Sequence, residues 1–253
     1  MPREGKIRVG NRTIAYLETG DPDGRLVLHN HGGPSSRLEA ELFDSSATAN
    51  GLRFVCADRP GIGGSDLQPG RTFECWADDL LRLAESLGGH QFAVTGWSEG
   101  GPWALAAAAY LDPTRLVHAT CIAGAKHFGD RYADAVKKSA STADREVLAD
   151  EEVLKLFLVA SQECFRQGAE GLVADATMLY QTWPFDMTTV TRPVHFWQGG
   201  ADTLVPEVIN KTVAAKTPGA VWHPISGGGH FIALSHANDI LAIAAADLAS
   251  APR

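Results

Sequence analysis

Cysteine is scarce in this chain of 253 residues: Cys56, Cys75, Cys121 and Cys164 are the four, far apart and without a C-x-x-C pair. That spacing supports neither a disulfide framework nor a zinc site and leaves buried free thiols as the expectation. Positive charge is short as well. Lys and Arg number 22 against 30 Asp and Glu, for a net charge of −8, and no basic run occurs. Neither nucleic acid nor an anionic membrane is therefore an expected main partner. No uncharged stretch of 18 apolar residues occurs, and the opening segment MPREGKIRVGNRT has no apolar h-region. The expectation is a soluble, cytoplasmic protein with no integral membrane association. Internal repeats and low-complexity segments are also missing. The oligomeric state is not legible.

What is present suits one large α/β domain, since a chain of this length buries roughly 70 to 75% of its unfolded surface. Segments 6–9 and 13–18 alternate apolar and polar residues around Gly10-Asn11, which predicts a hairpin, and 26–29 continues as a buried strand. Further strands are expected at 53–57, 91–95, 116–123, 194–198 and 220–225. Helices are expected at 73–87, 101–111, 206–216 and 238–249. The stripe Phe73, Trp76, Ala77, Leu80, Ala84 and Leu87 carries the first of these, and Gly88-Gly89 ends it. From about Lys126 to Thr191 strand signals vanish and helical, charged segments such as 144–160 and 169–180 take over. Alternating strands and helices favour parallel crossovers. The prediction is a mostly parallel, doubly wound sheet, core residues 1–125 and 192–253, with a small helical cap, 126–191, inserted after the strand ending near Ala123.

Within this frame, FAVTGWSEGG (92–101) places Ser98 between Gly96 and Gly100 where a strand passes into a helix. A serine in a strained strand-to-helix turn needs neighbours two residues away that lack bulky side chains. Its hydroxyl becomes a useful nucleophile only beside a base that a carboxylate orients. Two later Gly-rich loops, each following a parallel strand, offer them: Gly199-Gly200-Ala201-Asp202 and Gly227-Gly228-Gly229-His230. Both fall at the carboxyl edge of the sheet, as Ser98 does.

These stretches, with Asn30-His31-Gly32-Gly33-Pro34 and Asp58-Arg59-Pro60-Gly61-Ile62-Gly63-Gly64-Ser65, give the whole chain a resemblance to the α/β-hydrolase fold superfamily. The resemblance implies Ser98 as nucleophile, Asp202 as orienting acid and His230 as base. It also implies an oxyanion hole from the backbone N–H groups of Gly33 and Glu99. The Glu99 side chain has two readings: favourable charge at a helix N-terminus, or an influence on substrate choice. His29, His31, His118, His127, His195 and His223 are expected to be packing or surface residues, and Asp58 and Asp66 to organise turns.

The resulting expectation is a carboxylesterase-like serine hydrolase acting on small to medium, uncharged, small-molecule esters, with no metal and no organic cofactor. Trp97 and Phe231 adjoin the triad and are expected at the substrate. Met178, Trp183 and Phe185 are expected to line an apolar acyl pocket under the cap. Two rivals stand beside it. His31-Gly32-Gly33-Pro34 resembles the start of the loop of proline iminopeptidases, although Ser35 follows where Gly is usual; and the fold could serve as a non-catalytic ligand receptor.

Overall fold

Gly10 has φ 61 and is the first of two loop residues between β1 (Arg3–Val9) and β2 (Arg12–Gly20), which pair antiparallel with Val9 opposite Arg12. A two-residue hairpin loop needs a positive φ at that position, which glycine adopts without a steric penalty. In this computed structural model, which describes residues 2–124 and 141–251, the hairpin starts an eight-stranded sheet. The other strands are β3 (Arg25–Asn30), β4 (Leu52–Ala57), β5 (Phe92–Trp97), β6 (Leu116–Ile122), β7 (Val194–Gly199) and β8 (Ala220–Ile225). Their order is β1-β2-β4-β3-β5-β6-β7-β8. β2 runs antiparallel to β4, and every pairing from β4 to β8 is parallel.

The order has one functional consequence. The chain leaves β3 toward β4 on one side and later returns on the other side of β3 with β5, so the loops following β3 and β5 diverge from a common crevice. Asn30 at the end of β3 is in register with Gly96 near the end of β5. Such switch points at the carboxyl ends of parallel strands are where open α/β sheets hold ligands.

Helices cover both faces. Thr72 caps α2 (Phe73–Ser86) by accepting a hydrogen bond from the N–H of Cys75 at 3.1 Å, and Gly88 at φ 77 follows its end. The predicted stripe is buried from Phe73 to Ala84 and packs with Trp103 and Ala107 of α3 (Gly101–Tyr110) against Leu28, Val55 and Val94 of the sheet. On the opposite face, Ala47 of α1 (Asp44–Ala49) and Ile240, Leu241, Ala244 and Leu248 of α9 (Ala237–Ser250) pack against Val27, Phe54 and Ala93. Each fully buried Leu, Ile or Phe contributes about 1.5–3 kcal/mol, so these two layers hold the sheet that presents the loops. A 3-10 helix (Arg37–Phe43) and α1 lie within 35–51, a stretch for which the sequence pattern predicts no element.

Between β6 and β7 the described residues form α4 (Thr142–Leu148), α5 (Glu151–Cys164), α6 (Glu170–Leu179) and a 3-10 turn (Met187–Thr189), without a strand. Residues 126–140 of the expected cap, including His127 and Phe128, lie outside the described residues. The single helix expected over 144–160 is two helices. Asp150 accepts from the N–H groups of Glu152 (2.9 Å) and Val153 (3.2 Å), which starts a new helix. The remaining helices are α7 (Glu207–Ala214) and the short α8 (Ile232–Ser235). Among the described residues no helix is long and apolar enough to cross a membrane.

A buried ionic knot ties this insertion to the core. Asp175 of α6 accepts from Arg59 Nε at 2.7 Å and also pairs with Arg71, while the other Arg59 nitrogens donate to the carbonyls of His31 (2.6 Å) and Gly32 (3.2 Å). The Arg59 and Asp175 side chains are both 0% exposed. Removing any partner would therefore strand a charge in the interior.

Candidate active site

Ser98 follows the last residue of β5 and has φ 52, one of two non-glycine residues with positive φ among those described. A left-handed serine is strained, and close packing around it holds it there. A Cβ on Gly96 would lie 2.1 Å from the Gly100 carbonyl oxygen, one on Gly100 would lie 2.0 Å from the Asn30 oxygen, and one on Gly124 would lie 2.5 Å from the Ser98 oxygen. Only glycine fits at these positions. The turn therefore lifts the Ser98 hydroxyl above the sheet edge, and Pro102 opens α3 behind it.

The loops after β7 and β8 bring the other two groups to this hydroxyl. His230 Nε2 lies 2.9 Å from Ser98 Oγ, and His230 Nδ1 lies 2.9 Å from Asp202 Oδ2. Asp202 is itself fixed: Oδ1 accepts from the N–H groups of Leu204 (2.9 Å) and Val205 (2.8 Å), and Oδ2 from Gln198 Nε2 (3.3 Å). On the imidazole, burial disfavours the charged form. The charge and hydrogen bond of Asp202, helped at longer range by Asp144 and Glu39, more than offset this and raise the His230 pKa above its usual value.

Asp144 has a second task. It forms a capping box with Ser141 at the start of α4, and its Oδ1 accepts from the Phe231 N–H at 2.8 Å. A Cβ on Gly229 would stand 2.2 Å from that oxygen, so the glycine before His230 lets the loop dock on α4. Trp97 Nε1 donates to the His230 carbonyl at 3.0 Å from the other side.

The His-Gly-Gly loop passes directly over the serine: a Cβ on Gly32 would be 3.5 Å from Ser98 Cβ. Its N–H donates to Glu39 at 3.1 and 3.2 Å, and Glu39 also meets His29 Nε2 at 2.9 Å. His31 is fully buried beside Arg59, and burial followed by that guanidinium pushes its pKa well below the usual value, so the ring stays neutral. Asp58 accepts from Arg37 and from the Gly64 N–H, and Asp66 accepts from the Thr13 N–H, so both organise turns.

A cavity of about 240 Å³ opens at Ser98, with Gly33, Glu99, Trp97, Phe157, Leu204, Val205 and Phe231 in its walls. That volume lies just below the usual range of about 300–1,000 Å³ for small-molecule sites. The structure thus brings Ser98, Asp202, His230, Gly33, Glu99, Trp97 and Phe231 together. Met178, Trp183 and Phe185 are not among the cavity's lining residues, which corrects the expectation of an acyl pocket built from them. Trp183 and Phe185 stack on each other with ring centroids 5.1 Å apart, and all three residues pack against the layer containing Phe73 and Trp103. The aromatic pair instead borders a separate cavity of about 570 Å³ against Val208, Ile209 and Val213 of α7.

Phe157, Leu204 and Val205 line the cavity without having been expected there from the sequence. For Phe157 a signal existed: Phe157, Ala160 and Cys164 recur at helical spacing, and the latter two are fully buried. Glu99 is half-buried, yet its Oε2 is sealed from solvent and has no hydrogen-bond partner among the described residues. Burial, reinforced by the Asp175 charge, pushes its carboxyl up to about 7, against the pull of Arg59 and His230.

Among the described residues one group, His118, His195 and Asp247, has possible metal-ligating atoms within 4.8 Å of one another. His118 and His195 lie toward the amino ends of β6 and β7, away from the carboxyl edge that carries Ser98, and both imidazoles hydrogen-bond to Asp247.

A doubly wound sheet that brings together a strained serine after β5, an aspartate after β7 and a histidine after β8 defines the α/β-hydrolase class. The chain belongs to the alpha/beta hydrolase family, whose sequence profile matches residues 26–244. It is 24% identical over 248 residues to a proline iminopeptidase of Lactobacillus delbrueckii subsp. bulgaricus, covering 82% of this chain and 84% of that one. An alpha/beta hydrolase fold protein from Nakamurella multipartita superposes with a TM-score of 0.77 at 19% identity, over 97% of this chain and 98% of that one. An esterase from Exiguobacterium antarcticum superposes with a TM-score of 0.72 at 17% identity, over 94% and 96%.

Proposed function

We propose that the protein is a serine hydrolase that cleaves small-molecule carboxylic esters through an acyl-enzyme. One observation carries the reading: the unbroken hydrogen-bonded chain from Asp202 through His230 to a serine held at positive φ. Ser98 Oγ attacks the ester carbonyl carbon while its proton passes to His230 Nε2, and Asp202 stabilises the imidazolium. The N–H groups of Gly33 and Glu99 receive the negative oxygen of the tetrahedral intermediate. Collapse expels the alcohol, which takes the proton from His230 and leaves the acyl group on Ser98. Water then attacks, giving its proton to His230; the acid departs and the proton returns to Ser98. Every step uses protein groups and water alone, so the scheme requires no cofactor.

The insertion 126–191 acts in this reading as a cap, with Phe157 of α5 completing the apolar wall beside Trp97, Val205 and Phe231. The narrow cavity favours short acyl groups. A second reading, an aminopeptidase, draws support from the likeness to proline iminopeptidase over most of both chains. Turnover of p-nitrophenyl esters of graded length, beside aminoacyl arylamides, separates the two. Ser98→Ala and His230→Ala should each lower ester turnover by on the order of 10⁴, and the double variant should be little worse because the groups act as a unit. Near-normal turnover by Ser98→Ala would refute the mechanism, and arylamides outrunning every ester would favour the second reading.

A further inference from the structure

A carboxyl side chain beside the place where a substrate carbonyl must develop a negative oxygen is an electrostatic contradiction unless something positive arrives with the substrate. Glu99 poses that contradiction. Its carboxyl group bends back over the His-Gly-Gly loop: a Cβ on Gly33 would fall 1.8 Å from Oε2 and 2.5 Å from the carboxyl carbon. The side chain thus overlies a proposed oxyanion donor and lines the same cavity as Ser98.

Among the described residues Oε2 has no partner and is buried without a hydrogen bond. An unpaired buried polar atom is costly, and an unpaired buried charge more so. The cations that act on Glu99 are committed elsewhere. Arg59 donates to Asp175 and to the carbonyls of His31 and Gly32, and His230 meets Asp202 and Ser98. From α6, Asp175 adds negative charge, and Glu39 is a further carboxylate in the cavity wall. Among the described residues, therefore, the carboxyl group has no positive partner of its own.

We propose that Glu99 is an ammonium subsite and that the preferred substrates are esters of α-amino acids, a deepening that rests on Ser98 acting as the nucleophile. In such an ester the ammonium nitrogen is two bonds from the carbonyl carbon, so its anchor must stand within a few ångströms of the oxyanion donors. A side chain on the residue that itself offers one donor N–H, folded over the residue that offers the other, meets that requirement. A remote ammonium, several carbons along the acyl chain, would not reach it. The ammonium also cancels the charge that would otherwise oppose the developing oxyanion. Burial and the Asp175 charge hold the carboxyl at about 7, poised to lose its proton when a cation arrives.

The test uses isosteric substrates: L-valine benzyl ester and benzyl 3-methylbutanoate, which lacks only the amine, with release of benzyl alcohol as the readout. The wild-type protein should favour the amine-bearing ester in kcat/KM by roughly ten- to hundredfold, the range expected for a charge-assisted hydrogen bond. Glu99→Gln keeps the backbone N–H and the side-chain shape; it should collapse that ratio toward one, chiefly by raising KM for the valine ester, and Glu99→Asp should recover part of it. Binding of both compounds to the Ser98→Ala protein reads the subsite apart from turnover. Amine-selective binding that disappears in Ser98→Ala/Glu99→Gln, without turnover by the wild type, would uphold the subsite and sink the esterase reading. Robust turnover with no amine preference, a ratio unaltered by Glu99→Gln, or a preference for the uncharged ester that fades as pH rises through 7 would overturn the proposal. The last result would mark Glu99 as a protonated donor to the oxyanion.

Discussion

Replacing Asp175 with alanine tests how the β6–β7 insertion is fastened to the loop above Ser98. The change leaves Arg59 and Arg71, whose side chains are 0% and 3% exposed, facing each other without their shared carboxylate. Breaking a buried pair by deleting one partner costs about 3–5 kcal/mol, a large share of the 5–15 kcal/mol that typically holds a domain together. At about 2–4 °C per kcal/mol for a chain of this size, the melting temperature should fall by roughly 6 to 20 °C. Urea unfolding should shift its midpoint by the corresponding amount with a similar slope. Because Arg59 also holds the His31 and Gly32 carbonyls, ester turnover should fall more than the folded fraction alone explains. Glu207→Ala is the control. It breaks the exposed Glu207–Lys211 pair, where side chains are 35% and 56% exposed, and such pairs contribute less than about 1 kcal/mol. If Asp175→Ala melts within about 2 °C of the parent, the ionic knot is not what holds these elements together.

Other outcomes follow from the same geometry. His230 must be neutral to accept the Ser98 proton, and its pKa is raised, so kcat/KM should fall as pH drops, with a midpoint above 6.5. Asp202→Asn removes the largest raising charge and leaves burial opposed only by the more distant Asp144 and Glu39; a pH–rate profile should show the midpoint moving to lower pH, with turnover down by up to about 10⁴. Phe157→Ala should lengthen the preferred acyl chain in an ester series, each admitted methylene adding about 0.8 kcal/mol, whereas Trp183→Ala should lower the melting temperature and leave the optimum in place. A side chain on Gly100 would collide with the Asn30 carbonyl, so Gly100→Ala should destabilise by about 1–3 kcal/mol and disturb Ser98, seen as a lower melting temperature together with slower labelling by a fluorophosphonate.

Local chemistry made much of the molecule legible in advance. Gly10-Asn11 marked the hairpin, the Phe73 stripe marked α2, and the 220–225 strand matches β8 from end to end. The Gly-rich loops holding Ser98, Asp202 and His230 were visible because close approach, of backbone at Gly96 and Gly100 and of the Asp144 and Ser141 side chains at Gly229, leaves room only for glycine. Pairing across long separations was not visible. Nothing local says that β2 joins β4 rather than β3, or that Arg59 reaches Asp175 across 116 positions. Trp183 and Phe185 were read as pocket lining because aromatic residues serve core and pocket equally well, and only the packing against Phe73 and Trp103 separates the two uses. The Glu99 oxygen, without a partner among the described residues, was likewise beyond reach, since the acidic residue after Ser98 could equally have turned toward solvent.

Labelling by a small fluorophosphonate, followed by peptide mass mapping and timed across variants, tests the central claim most directly, because it reads the nucleophile without any assumption about the natural substrate. The account predicts a single adduct on the peptide containing Ser98, absent in Ser98→Ala and formed at least about a thousandfold more slowly in His230→Ala. An adduct on another residue, no adduct on the folded protein, or His230→Ala labelling at the parent rate would contradict it.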